Sequence, residues 1–261
     1  MNQQEVLDLF DQQLRIGARE GGQTRRVESV DGIVRVIGAS PEPHQNTIVY
    51  GSCDAEVADA RIRRQMDDYG SLGHGFEWKV YGHDRPAGMG ERLVRHGFTP
   101  DPTETLVIVD VEAARIAKGR SQAEIRRITD PARVADVIAI WNEVWGDDHA
   151  WMEEELSGTL RRRPEALSIY VAYEGGKPVA AAWMRFPEHS DFATLWGGST
   201  LASHRKRGIY ADLVAARIAE ARQRGARYAM VEARDTSRPI LERLGFVSFT
   251  TVTGYLWRPP A

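Results

Sequence analysis

Between residues 209 and 224 apolar side chains return at Ile209, Leu213 and Ala216, and again at Tyr210, Val214, Ile218 and Ala221. That spacing is one face of a helix, and Gly225 stands where such a helix ends in the left-handed conformation. The preceding stretch, 192–201, is rich in β-branched and aromatic residues and predicts a strand. Residues 202–210 between them make a basic turn with a single glycine, Gly208. A strand that feeds a helix through such a turn aims several free N–H groups at one point. The positive end of the helix dipole lies behind them, so the point is an anion site suited to a phosphate or pyrophosphate.

The rest of the chain follows the same periodicities. Val6, Leu7, Phe10 and Leu14 predict an opening amphipathic helix broken at Gly21-Gly22. Two strands, 25–30 and 33–37, flank Asp31-Gly32, a strong hairpin signal. A strand at 47–50, a helix at 55–69, a strand at 76–81, a helix at 89–96 and a strand at 104–109 follow. Further on, 125–129 reads as a strand, and Asp130-Pro131 as a helix start. Residues 148–163 carry acids in their first turns and arginines at their end, which suits a helix dipole. Strands at 167–173 and 178–186 are joined through Glu174-Gly175-Gly176-Lys177. The strand at 192, the long helix, a strand at 227–233, a helix at 237–246 and a strand at 248–257 complete the order.

The two halves end alike. Trp78 to Tyr81, then Glu91-Arg92-Leu93 and Gly97-Phe98, parallels Ala229 to Glu232, then Glu242-Arg243-Leu244 and Gly245-Phe246. Such self-similarity predicts two copies of one α/β unit, residues 1–118 and 123–261.

Composition narrows the class. The 261 residues are 27% charged and 42% hydrophobic with a net charge of −3, which suits a globular protein and argues against a nucleic-acid partner. Cys53 is the sole cysteine, so no intrachain disulfide forms and a reducing, cytoplasmic setting is expected. No apolar run approaches a membrane span, and no metal-ligand pattern stands out. The chain is expected as a monomer or homodimer.

Arg205-Lys206-Arg207-Gly208-Ile209-Tyr210 resembles the pyrophosphate loop of the GNAT superfamily of N-acetyltransferases. Arg205 and Gly208 match its pattern, while Tyr210 stands where a small residue is usual. The strand at 227–233 and the Leu-Gly-Phe at 244–246 resemble the family's next strand and final helix. The resemblance covers residues 125–257 and implies an α/β (α+β) fold of two tandem GNAT-like mixed-sheet units with flanking helices. It also implies acetyl-CoA as co-substrate and a small-molecule or peptide amine as acceptor. The residues expected to hold CoA are Leu201, Ala202, Ser203, Arg205, Lys206, Arg207, Gly208, Ile209, Tyr210 and Ser237. One or two of the three cations are expected to serve phosphate. Gly197-Gly198 falls where the family strand bulges and splays to admit the pantetheine arm.

For chemistry, the backbone N–H of Leu201 is expected to polarise the acyl oxygen. Glu232, with a pKa raised by burial, is expected as the base, against a plain pairing with an arginine such as Arg234. The acids Asp147, Asp148, Glu153 and Glu154 form either a wall of the acceptor site or a solvated first turn, with His149 beside them. The family's acid, a tyrosine four residues before the Gly of Leu-Gly-Phe, is Leu241 here; Tyr210 and Ser237 are nearby hydroxyls. Six of seven tryptophans fall in the second half, and two or three at one mouth would favour an apolar or cationic acceptor. The alternative to an enzyme is a CoA-binding sensor or scaffold. In the first half, Gly51-Ser52-Cys53-Asp54-Ala55 corresponds to the basic turn but has no cation. Its Asp54 is expected to satisfy the helix N–H groups itself, leaving a degenerate copy in which Cys53 only packs.

Overall fold

The computed structural model describes residues 2–19, 25–116, 121–146 and 148–260; Gly21-Gly22, Asp147 and part of the expected linker lie outside them. Two compact units form. One holds residues 1–106, 232–238 and 248–261, the other 107–231 and 239–247.

In the first unit α1 (Gln3–Phe10) buries Val6, Leu7 and Phe10, and a wider helical turn, Asp11–Ile16, carries Arg15 inward. Strands β1 (Arg25–Val30) and β2 (Ile33–Gly38) are antiparallel. Asp31 and Gly32 between them both have positive φ, 52° and 76°, the mirror-image turn that matches strand twist. Strand β3 (Thr47–Tyr50) leads to α2 (Ala55–Ser71), β4 (Phe76–Tyr81), α3 (Met89–Arg95), the short β5 (Thr99–Pro100) and the opening of β6 (Glu104–Asp110). β3 runs parallel to β4 through Thr47↔Glu77 and Ile48↔Trp78.

The strand expected to finish the second repeat, β12 (Val247–Trp257), lies here instead. It pairs antiparallel with β4 from Val252↔Tyr81 to Trp257↔Phe76. The Trp257 ring packs 5.5 Å from Phe76 and 6.5 Å from Phe98, within a core of Ile48, Ile62, Tyr69, Trp78 and Leu93.

The second unit contains β7 (Glu124–Ile128), α4 (Val134–Trp145), α5 (Ala150–Arg162), β8 (Leu167–Glu174), β9 (Lys177–Arg185), β10 (Phe192–Thr200), α6 (Ile209–Gln223) and most of β11 (Tyr228–Ala233) and α7 (Arg238–Arg243). The strand order is β7-β8-β9-β10-β11. The first three pairs are antiparallel and the last is parallel. The Asp130 side chain accepts from Ala132 N at 3.0 Å, so the chain enters a 3-10 turn and then α4. One sheet face, with Ile169, Val171, Ala181 and Trp183, packs on α4 and α5. The other, with Tyr170, Ala172, Ala180 and Ala182, packs on Ile209 and Leu213 of α6. Alanines at those positions let the helix approach closely. Gly225 ends α6 with φ 75°, as its place in the pattern requires. The α/β class, with mixed sheets flanked by helices, is the one expected. Among the described residues no helix is long and apolar enough to cross a membrane.

Candidate active site

The site begins at an interruption in β10. Pairing with β9 runs through Trp196↔Trp183 and resumes at Ser199↔Ala181, so Gly197 and Gly198 together oppose Ala182. That is a β-bulge, and both glycines are required by what lies on them. Gly197 has φ 66°, and a Cβ there would overlap the Trp183 ring; a Cβ on Gly198 would lie 2.6 Å from the Tyr210 ring. On the other edge β10 pairs with β11 only from Phe192↔Tyr228 to Thr194↔Met230. Beyond Thr194 the two strands part, as expected of a splay.

Side chains from both faces hold the bulge. Trp141 Nε1 donates to Gly197 O at 3.1 Å, and Trp145 Nε1 donates to Ser199 Oγ at 3.1 Å. From the α6 face Arg217 donates to Trp183 O at 3.3 Å and Trp196 O at 3.5 Å. The backbone donors then sort themselves. Leu201 N–H donates to Val179 O at 3.0 Å, so the expected oxyanion donor is already engaged. In an antiparallel pair successive residues face opposite edges. With Leu201 turned to β9, Thr200 turns its N–H to the open edge. Its carbonyl, which accepts Arg205 Nε at 3.1 Å, points away from β9 as well. Of the two N–H groups, that of Thr200 and not that of Leu201 is left on the open edge.

The basic turn follows. Residues Ala202–His204 make a 3-10 turn in which Ser203 Oγ and His204 Nδ1 lie 2.8 Å apart. Lys206 has φ 61° and Gly208 φ 83°, and Gly208 caps α6 with no side-chain hydrogen bond. The N–H groups from Lys206 through Ala211 have no backbone acceptor in the turn among the described residues. They stand at the N-terminal, positive end of a 15-residue helix. The cations divide unequally. Arg207 is paired with Glu174 at 2.8 Å, with His204 3.6 Å from the same carboxylate. Arg205 is tied by its Nε to Thr200 O, and Lys206 is exposed with no ion pair among the described residues.

Tyr210 departs from the family's small residue because the matching space is on Gly198, whose missing side chain leaves room for the ring. Arg217 went unrecognised in the sequence, although it carried a signal: four residues after Leu213, it sits on the apolar stripe of α6. It is 2% exposed. Its hydrogen-bond partners are Leu213 O, Trp183 O and Trp196 O, and no carboxylate among the described residues pairs with it. Burial draws its pKa below the usual guanidinium value.

Glu232 is not the poised base expected. Counted with the first unit, it forms an ion pair with Lys79 and accepts from the Tyr81 hydroxyl. Burial alone would raise its pKa, but the Lys79 charge and the hydrogen bonds from Lys79 and Tyr81 outweigh it and hold the carboxyl below its ordinary range. Arg234 pairs instead with Glu104 at 3.3 Å. Ser237 is grouped with the same unit, and its Oγ donates to Arg234 O at 3.1 Å.

On the α4 face the tryptophans do assemble. The Trp141 ring lies 5.8 Å from Trp145, 5.3 Å from Trp183 and 5.2 Å from the His149 ring. His149 is oriented by Asn142 Oδ1, 3.1 Å from its Nδ1. Of the acids nearby, Asp148 caps α5 through Ala150 N at 2.9 Å, and Glu154 pairs with Arg161 at 2.9 Å. Those two serve the helix, the blander of the roles open to them.

Comparison with known proteins agrees with this geometry. Residues 130–246 match the family model described as Acetyltransferase (GNAT) family. A GCN5-related N-acetyltransferase from Kribbella flavida superposes with a TM-score of 0.75 at 17% identity, covering 98% of this chain and 95% of that one. A tandem GNAT protein from the clavulanic acid biosynthesis pathway gives 0.65 at 11% identity, covering 100% and 97%. A GCN5-related N-acetyltransferase from Sphaerobacter thermophilus gives 0.62 at 14%, covering 99% and 86%. At these identities the likeness is one of fold. No curated protein sequence matches significantly.

Proposed function

We propose that this chain, whose residues 130–246 are a GNAT acetyltransferase domain, is an acyl-CoA-dependent N-acyltransferase acting on an amine of a small molecule or peptide. The observation that carries this is the continuous run of bulge, open strand edge and uncapped basic turn in 197–211. Acetyl-CoA would supply an acyl group activated as a thioester. A diphosphate suits the turn, where N–H groups and Lys206 supply donors and charge without a competing cap. Thr200 N–H faces the open edge, where it suits the acyl oxygen as charge develops. Trp141 and Trp145 have their indole N–H groups engaged with β10, so they offer ring faces to an incoming amine. The Lys79 ion pair leaves Glu232 without the basicity the task needs, so the amine proton is taken up by solvent.

The test is thiol release from acetyl-CoA with a panel of amines, aminoglycosides and peptides, alongside CoA calorimetry. Transfer to at least one amine is expected. Tight CoA binding without thiol release would point instead to a sensor or scaffold, and absence of CoA binding would overturn the reading altogether.

A further inference from the structure

We propose that the first unit carries a divalent-metal site at His44, Glu77 and Asp101, one imidazole and two carboxylates whose donor set suits Zn²⁺. It belongs to a different unit from the bulge and the basic turn, and it does not rest on the acyltransferase reading. One ligand atom from each of the three side chains lies within 4.8 Å of the other two. Three atoms so spaced share a centre at most about 2.8 Å from each, and Zn–N and Zn–O bonds are about 2.0–2.2 Å long. Closing the site to that length takes shifts of about 0.8 Å or less. Among the described residues no other group of three His, Cys, Asp or Glu side chains is so placed.

The ligands come from three separate segments, and the backbone holds each one. His44 lies in the 3-10 turn Pro43–Gln45. Fully buried Asn46 fixes that turn: its Oδ1 accepts from Gly38 N at 2.9 Å, and its Nδ2 donates to Ser40 O and Glu42 O, each at 2.9 Å. Glu77 N–H donates to Asn46 O at 2.8 Å, which keeps β4 beside the turn. Asp101 follows β5, and its N–H donates to Gly254 O on β12 at 2.8 Å.

Gly254 links the two carboxylates. β12 has β4 on one edge and β5 on the other. Glu77 stands opposite Leu256, and its side chain leans along β12 onto Gly254, where a Cβ would lie 2.3 Å from Glu77 Oε1. The missing side chain lets the carboxylate cross β12 toward Asp101.

None of the three side chains is committed elsewhere. Among the described residues neither carboxylate forms an ion pair, and the His44 ring makes no hydrogen bond. Glu77 accepts only from Thr47 Oγ1, at 3.5 Å. Lys79, two residues along β4, is already paired with Glu232. Two carboxylates so close repel each other, and a divalent ion between them turns that repulsion into attraction. The imidazole nitrogen favours Zn²⁺ over Ca²⁺ and Mg²⁺, which take oxygen donors. Three protein ligands leave the fourth tetrahedral position to water. Bound there, the ion clips the 43–45 turn, β4 and residues 99–101 together.

The test uses the full chain without a polyhistidine tag, stripped with EDTA and titrated with ZnCl₂ by calorimetry. One Zn²⁺ per chain is expected, with a higher thermal midpoint at saturation. His44→Ala and Asp101→Asn should each weaken Zn²⁺ binding at least about 100-fold, with the midpoint of the metal-free chain kept. Co²⁺ in place of Zn²⁺ should give visible absorption bands that His44→Ala abolishes. Absence of Zn²⁺ binding overturns the proposal. So does binding that survives both substitutions, which would mark adventitious capture by other histidines. Ca²⁺ bound in preference to Zn²⁺ overturns it as well, because an all-oxygen site has no need of His44.

Discussion

Each unit contains a strand that runs into a turn and then a helix beside a parallel neighbour, and the two turns differ in every respect that matters to an anion. In the second unit α6 starts at a glycine with φ 83° and no side-chain cap. In the first, α2 starts at Asp54 with φ −74°, an ordinary extended residue, and Glu56 follows in the first turn. The Asp54 carboxylate makes no capping hydrogen bond, contrary to expectation. The turn is closed from outside instead: Cys53 N–H donates to Arg85 O at 3.0 Å and Arg85 N–H to Ser52 Oγ at 3.3 Å. The gap beside the parallel strand is filled too. A Cβ on Gly51 would lie 2.6 Å from the Trp78 indole, which is 2% exposed. Cys53 packs at the edge of the same core. One topology thus makes a slot when a bulge and a bare turn meet, and a solid core when an indole fills the splay.

The largest expected effect bears on that contrast. Gly208→Val puts a β-branched side chain at positive φ beside the anion site, and CoA affinity should fall about 100-fold. Asp54→Ala should leave it unchanged, and calorimetry should find one CoA per chain. Two sites per chain would erase the contrast. Next, Trp78→Ala should cost about 3–5 kcal/mol of stability by emptying the filled splay, measured by denaturant unfolding, while CoA affinity persists.

Glu232→Gln should cost about 3 kcal/mol, because it removes the carboxylate that Lys79 pairs with. The pH dependence follows from the shifts. The Glu232 contribution is present above its unfolded pKa, about 4.3, and is lost as pH falls through the lower folded value. The Lys79 contribution is present below about 10.4 and is lost as pH rises through its higher folded value. A stability profile flat through the acid range in the native chain would show that the pair contributes nothing. The smallest effect is that of Arg207→Ala. Because Glu174 already occupies this cation, CoA affinity should drop only about threefold, and by less at high salt.

What could be foreseen was local. Helix α6, its left-handed stop at Gly225 and the hairpin at Asp31-Gly32 are set by neighbours within a few residues. What could not be foreseen depended on distant partners or on strand parity. Nothing near Glu232 announces Lys79, 153 residues away. The choice between Leu201 and Thr200 as donor turns on which edge each N–H faces, and that parity is fixed by where the bulge inserts its extra residue. Val247–Trp257 has a strand pattern, but a pattern does not say which strand it will pair with. Arg217 was legible in principle, as a charge on an apolar stripe.

The position of β12 has a consequence for how the chain is made. Residues 252–257 supply the ladder along β4, which leaves the ribosome long before them. The second unit can assemble from consecutive elements as they emerge, whereas the first carries an incomplete sheet edge until translation has passed through its partner. Pairing so distant in sequence slows folding and prolongs the time an unpaired strand is open to association. Synthesis rate and chaperone supply should therefore govern the yield of the first unit more than that of the second.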